Sequence, residues 1–172
     1  MATNNKFKQD TFCSYCGSKF TEQALWPRKC FACWNESYKN PTPVVVALVP
    51  VGNGLLIEER NIEPGKGGLA FPSGYINYGE NWQQAIVREL KEEVGLETEG
   101  SEFKLLDILP SSNHNMLVFC LWLGHIPYLE ALPFLSNEEV SAIFQAQFDT
   151  KLVFPSHNEM LGRYFPECNY VV

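Results

Sequence analysis

The chain has 172 residues, with 13 Lys and Arg against 20 Asp and Glu, a formal net charge of -7, and is 45% hydrophobic and 13% aromatic. This composition excludes an intrinsically disordered chain, and the length suits one domain plus an appendage, hiding roughly 70% of the unfolded surface. Its longest apolar runs, near Val44–Pro50 and Met116–Leu123, fall far short of the roughly 20 residues that a membrane-spanning helix needs.

Charge is unevenly placed. Residues 1–41 hold six basic and three acidic residues, whereas the remainder holds seven basic and seventeen acidic. An acidic body repels a phosphate backbone, so nonspecific nucleic-acid binding is not expected of it. A small phosphorylated substrate stays admissible, because bound divalent cations reverse the local field. The first thirty residues show no apolar stretch followed by a small-residue cleavage site. The six cysteines are therefore read as intracellular thiols, and a cytoplasmic location is expected, with no membrane partner.

Cys13-Ser14-Tyr15-Cys16 is followed, after thirteen residues, by Cys30-Phe31-Ala32-Cys33. Two such pairs can place four thiolates round one tetrahedral zinc ion. Gly17 follows the first pair, where a tight turn tolerates unusual backbone angles. The segment has too few aliphatics to build its own core, so a metal would supply much of its folding energy. Two local disulfides, unrelated buried thiols and a redox pair are the competing readings. Phe12, Tyr15, Phe20, Trp26, Phe31, Trp34 and Tyr38 crowd this module, and docking on the next domain is favoured over base stacking. Pro41-Thr42-Pro43 reads as a stiff joint, dividing a zinc-ribbon module at 1–41 from a domain at 42–172.

The body reads as mixed sheet and helix. Val44–Val49 and Leu55–Glu59 are strand candidates across the Gly52-Asn53-Gly54 turn. Asn61–Gly68 is a loop, Leu69–Phe71 a short strand, and Pro72-Ser73-Gly74 a turn. Asn81–Val94 is the strongest helix, closed by Gly95. Phe103–Leu109 and Met116–Leu123 read as strands, Ser136–Glu139 as the start of a short helix, and Ser156–Phe165 as another helix. Cys120 is expected in the core.

The central helix carries the most informative geometry. With Ala85 at zero, Glu92, Glu89 and Glu93 fall at about -20°, 40° and 80°, beside a stripe of Ile86, Val87, Leu90 and Val94. Like charges at this spacing repel, so their clustering makes most sense round a cation. Hard oxygen ligands suit Mg²⁺ or Mn²⁺. A backbone carbonyl from the Phe71-Pro72-Ser73-Gly74 corner could complete the shell.

Gly74-Tyr75-Ile76-Asn77-Tyr78-Gly79-Glu80, seven further residues, and Arg88-Glu89-Leu90-Lys91-Glu92-Glu93-Val94-Gly95-Leu96 resemble a complete Nudix box at every fixed position of its twenty-three residues. With the four-cysteine segment ahead of it, the chain is similar to zinc-ribbon Nudix hydrolases, including the NADH pyrophosphatase-like branch. The resemblance implies an α/β/α sandwich with mixed sheet over roughly residues 42–165. It also implies metal-dependent hydrolysis of a nucleoside diphosphate linked to another group, releasing a nucleoside monophosphate. Glu89, Glu92 and Glu93 match the positions that bind Mg²⁺ or Mn²⁺, and Glu89 matches one that can activate water. Gly74 matches the turn whose carbonyl can touch metal, and Glu80 and Arg88 match an ionic contact steadying loop and helix.

Two departures stand in the box region: Ser73 where relatives often have Gly, and Asn77 where many have Glu. Glu138 or Glu139 is the candidate for a further acid from a late loop, and Phe71, Tyr75 or Tyr78 for a base-stacking ring. The Ser-Gln-Pro-Trp motif of the NADH branch does not follow Leu96; Leu109-Pro110-Ser111-Ser112-Asn113-His114 is the nearest segment. His114 reads as a turn residue, and His125 and His157 have no ligand constellation. ADP-ribose, FAD and NADH are the candidate substrates and a homodimer is a possible assembly. The alternative function is a catalytically inactive Nudix module that binds nucleotide or protein.

Overall fold

The two Cys-x-x-Cys segments each close a tight turn. Gly17 N–H donates to Cys13 O and Cys13 N–H to Ser18 O, while Trp34 N–H donates to Cys30 O and Cys30 N–H to Asn35 O. Gly17 and Trp34 occupy equivalent left-handed positions (φ 74° and 63°). Glycine adopts that region freely, whereas Trp34 is held in it by the turn. Between and after the turns lie β1 (Arg28–Lys29) and β2 (Glu36–Ser37), paired antiparallel. Cys13, Phe20 and Cys30 are buried, with Trp26 and Cys33 packed against them. The computed structural model describes residues 10–21 and 25–168. It separates into two compact units, Met1–Pro41 and Thr42–Val172.

In the larger unit, β3 (Pro43–Leu48) is followed by β4 (Pro50–Val51), β5 (Gly54–Arg60), β6 (Leu69–Ala70) and β7 (Ser73–Tyr75). Helix α1 (Trp82–Val94) precedes β8 (Phe103–Pro110), β9 (Met116–Trp122), β10 (Val140–Ala146) and helix α2 (Pro155–Cys168). One sheet runs β7-β3-β9-β8; the other runs β10-β5-β4, with β6 also on β5. The β3–β9 pair is parallel and its neighbours β7 and β8 join antiparallel, so the sheet is mixed.

The continuous apolar run of β3 has a direct structural cause. Val45 and Ala47 point into a core with Ala85, Ile86, Leu90 and Val94 of α1. Val46 and Leu48 point the other way, into a core with Phe119, Met160 and Leu161. A strand covered on both faces loses the apolar–polar alternation of a half-exposed one. The result is an α/β/α arrangement with a mixed sheet, and Cys120 lies buried in the α1-side core. No helix among the described residues is long and apolar enough to cross a membrane.

Two local expectations fail. Ser136–Glu139 does not start a helix: Asn137 Oδ1 accepts from Glu139 N–H and Val140 N–H at 2.9 and 2.8 Å. A short polar side chain thereby takes amides that a helix would need, and the chain runs on as β10. Pro72-Ser73-Gly74 is not only a turn: Ser73, Gly74 and Tyr75 pair with Val46, Val45 and Val44.

Candidate active site

Helix α1 is fixed at both ends. Asn81 accepts from Gln84 N–H while the Gln84 side chain accepts from Asn81 N–H, and Gly95 closes the other end at φ 73°, its N–H reaching Leu90 O and Lys91 O. With Ile86, Leu90 and Val94 turned into the core, Glu89 and Glu93 are carried to the boundary between helix and sheet and are themselves buried. Glu92 stays on the rim, its side chain 60% exposed.

Strand β7 meets these carboxylates. Ser73 N–H donates to Glu93 Oε2 at 2.9 Å. Gly74 lies so close to Glu89 that a Cβ there would sit 1.9 Å from its carboxyl carbon. Arg88 buckles corner to helix: Nε and Nη2 donate to Glu80 at 2.8 and 3.0 Å, Nη1 to Glu89 at 2.7 Å and Glu92 at 3.1 Å, and Nη2 to Tyr75 O at 2.9 Å. Glu80 Oε2 also accepts from Asn77 N–H at 2.9 Å. The Arg88 hydrogen bonds, with that amide, hold Glu80 down at about 2. Asn77 thus contributes through its backbone.

The structure adds a carboxylate that the sequence reading missed. Glu58 on β5 is 1% exposed, and its Oε2 is buried with no hydrogen-bond partner among the described residues. Its nearest cation is Arg60, Nη1 to Oε1 at 4.0 Å. Burial pushes Glu58 up to about 8; Arg60 opposes this, and Glu139 and Glu89 add to it. Glu93 is likewise raised, by burial first and then by Glu58 and Glu89. Burial raises Glu89 too, against the pull of Arg88. The signal in the sequence was period two: Glu58 lies one pleat beyond Leu56, whose side chain faces the α1 core.

Of the two late-loop candidates, Glu139 lines the cavity beside Glu89 and Glu92, whereas Glu138 does not. That cavity, about 540 Å³, also takes in Gly74, Tyr75 and the Ser111–Asn113 turn. Phe71 is fully buried in the α2-side core, and Tyr78 is fully exposed outside the cavity, so of the three rings only Tyr75 borders it. His114 occupies a turn at φ 61° and His125 Nε2 contacts Gly52 O.

Several acids therefore crowd one region with a buried oxygen unsatisfied, an arrangement costing about 1–3 kcal/mol per unpaired buried group. Hard oxygen donors of this kind fit Mg²⁺ or Mn²⁺. These carboxylate oxygens are not gathered within 4.8 Å of one another; among the described residues only Cys13, Cys16, Cys30 and Cys33 bring ligand atoms that close. Mutual repulsion and the hold of Arg88 on Glu89 and Glu92 account for the wider spacing. In the smaller unit, Cys13 and Cys33 Sγ stand 3.7 Å apart and Cys16 and Cys30 Sγ 3.6 Å. Those separations exceed a disulfide bond of about 2.05 Å. They match the edge of about 3.8 Å expected of a sulfur tetrahedron round zinc with bonds of about 2.3 Å.

The sequence profile of the NUDIX domain matches residues 40–166. An ADP-ribose pyrophosphatase of Methanocaldococcus jannaschii is 39% identical over 59 residues, covering 34% of this chain and 35% of the relative. The NAD-capped RNA hydrolase NudC of Stutzerimonas stutzeri is 30% identical over 115 residues, covering 64% of this chain and 40% of the relative. The chain thus spans well under half the length of these curated relatives. A NUDIX hydrolase structure from Nitrosomonas europaea superposes with a TM-score of 0.61 at 23% identity, covering 94% of this chain and 93% of that one, a likeness of fold.

Proposed function

The chain belongs to the Nudix family, and on that footing we propose that it hydrolyses the pyrophosphate link of a nucleoside diphosphate joined to a second group, releasing a nucleoside monophosphate. The observation that carries this reading is the buried group of Glu58, Glu89 and Glu93 packed against the Gly74 corner, with one carboxylate oxygen unsatisfied. Glu58, Glu89 and Glu93, with rim contributions from Glu92 and Glu139, are the residues that would hold Mg²⁺ or Mn²⁺. When bound, such an ion supplies positive charge that screens the phosphates and makes water easier to deprotonate.

The chain's own residues then have separate tasks. Glu93 is pinned by Ser73 N–H and serves as a fixed ligand. Glu89 borders the cavity and has a raised proton affinity, so it is the carboxylate suited to take the proton from attacking water. Arg88, held by Glu80, donates to Glu89, Glu92 and Tyr75 O and so acts by holding Glu89 against the corner. The water oxygen forms the new bond to phosphorus as the bridging P–O bond breaks, and the departing phosphate keeps that electron pair.

ADP-ribose, NADH and FAD are the candidate substrates, and the name of the Methanocaldococcus jannaschii relative agrees with the first. The acidic balance of residues 42–172 favours such small molecules over the chain of a capped RNA. Cys13, Cys16, Cys30 and Cys33 are proposed to hold one structural zinc.

The test is a panel of ADP-ribose, NADH, FAD and NAD-capped RNA with Mn²⁺ or Mg²⁺, products being identified by mass. A nucleoside monophosphate should appear, and Glu93→Gln should lower kcat by about 100-fold or more. Tight binding without product under either ion would instead establish the non-catalytic module.

A further inference from the structure

His157, in the first turn of α2, is 2% exposed and takes no part in the chemistry above. The rings of Phe154, Phe71 and Phe119 surround it at 5.1, 5.4 and 5.8 Å between centroids. Phe71 N–H donates to its Nδ1 at 3.1 Å. A backbone amide can only donate, so Nδ1 carries the lone pair and the single proton of the neutral ring sits on Nε2. Burial, with Arg60 nearby, holds the ring down at about 3, so it stays neutral near pH 7.

Among the described residues the Nε2–H has no hydrogen-bond partner, yet it is not sealed in. Among the described residues the fully buried side-chain nitrogen and oxygen atoms without a partner are Glu58 Oε2 and Thr98 Oγ1. Nε2 therefore reaches open space, and the space that His157 borders is the cavity. Arg60 borders the same space. Its Nε donates to Pro64 O at 2.9 Å and its guanidinium lies 5.3 Å from the Phe154 ring centroid. Its terminal nitrogens make no hydrogen bond among the described residues, Glu58 being 4.0 Å away. Arg88, the other cavity arginine, already spends its donors on Glu80, Glu89, Glu92 and Tyr75 O.

We propose that His157 Nε2–H and the Arg60 guanidinium form a specificity-determining donor pair that receives an anionic phosphoryl oxygen of the substrate on the α2 side of the cavity. The proposal rests on reading the cavity as a diphosphate site. The ring is locked by three aromatic neighbours and by Phe71 N–H, so the donor is pre-aimed and loses little freedom on binding. Placed beside a cation with unused donors, it selects an acceptor carrying negative charge. A purely structural histidine would need only Nδ1; its second nitrogen would be indifferent to ligand.

The experiment uses the full chain with zinc and Mg²⁺, labelled with ¹⁵N-histidine. The probe is methylenediphosphonate, a diphosphate analogue that cannot be hydrolysed, with adenosine as the uncharged control. The free protein should show His157 as the Nε2–H tautomer from pH 6 to 8. Methylenediphosphonate should shift that resonance and adenosine should not. By calorimetry, Arg60→Met and His157→Phe should each weaken the analogue about tenfold, while His157→Gln, which restores an acceptor and a donor, should recover part of it. For any substrate that is cleaved, His157→Phe should raise KM with kcat within about threefold. An Nδ1–H tautomer, a His157 signal unmoved by the analogue, or an equal response to adenosine overturns the proposal. The wild-type titration needs neither turnover nor a folded variant, so its failure is separable from failure of the hydrolase reading.

Discussion

Gly74 is the residue on which the site closes, and the reason is space. The Glu89 carboxylate occupies the volume where a β-carbon would stand, with Cδ, Oε1 and Oε2 at 1.9, 2.0 and 2.3 Å from that position. The obstructed group is the far end of a side chain, which can swing away, so Gly74→Ala should fold but displace Glu89. The expected outcome is stability to urea within about 1 kcal/mol of the parent, with kcat lowered on the order of 100-fold. Unchanged turnover would show that Glu89 does not need its present place. Glu58 makes the complementary point at the same scale. A run of Leu55, Leu56 and Ile57 announces a buried strand, but Glu58 and Glu59 look like its polar exit. That Glu58 is 1% exposed and sits among Glu89, Glu93 and Glu139 follows from the second sheet packing beside α1; period two puts it on the face of Leu56, but only that packing covers the face as far as Glu58.

Helix α1 behaves as a self-contained unit whose ends are specified by the sequence beside it. Asn81 and Gln84 exchange hydrogen bonds at 2.8 and 2.9 Å, and Gly95 takes the left-handed angle that other residues resist. Asn81→Ala should lower stability to urea by about 1 kcal/mol. Because Glu89 and Glu93 ride on the same helix, the loss should be accompanied by weaker Mn²⁺ binding in a calorimetric titration. The helix was legible because caps, apolar stripe and acidic face all agree at one period. Strand β7 was not, since Ser73-Gly74-Tyr75 has little strand character of its own and exists because β3 offers it a ladder. The late loop failed for the opposite reason: Ser136-Asn137-Glu138-Glu139 looks like a helix start, but Asn137 spends its side chain on the Glu93 carbonyl and on the amides of Glu139 and Val140.

The whole molecule divides its stability between two mechanisms. Thr42–Val172 contains two apolar cores, one on each face of the β3 sheet, and is stabilised by burial. Met1–Pro41 has only Cys13, Phe20 and Cys30 as buried apolar residues among its described residues, too little for an apolar core to hold it. A zinc chelator should therefore abolish amide-exchange protection at Gly17 and Trp34 while protection in β3 and β9 persists. Loss of both together would assign the fold of the larger unit to the metal as well. The sequence by itself determined what repeats or is contiguous: the paired Cys turns, the capped acidic helix, the doubly buried β3 and the box that marks the family. Only the tertiary structure decided which acids meet. Glu139, Arg60 and His157 are brought to one cavity from a loop, β5 and α2, and Glu58 of β5 to the acids Glu89 and Glu139 beside it, because packing free energy is summed over surfaces that join residues distant in the chain, whereas periodicity and capping act within a few turns.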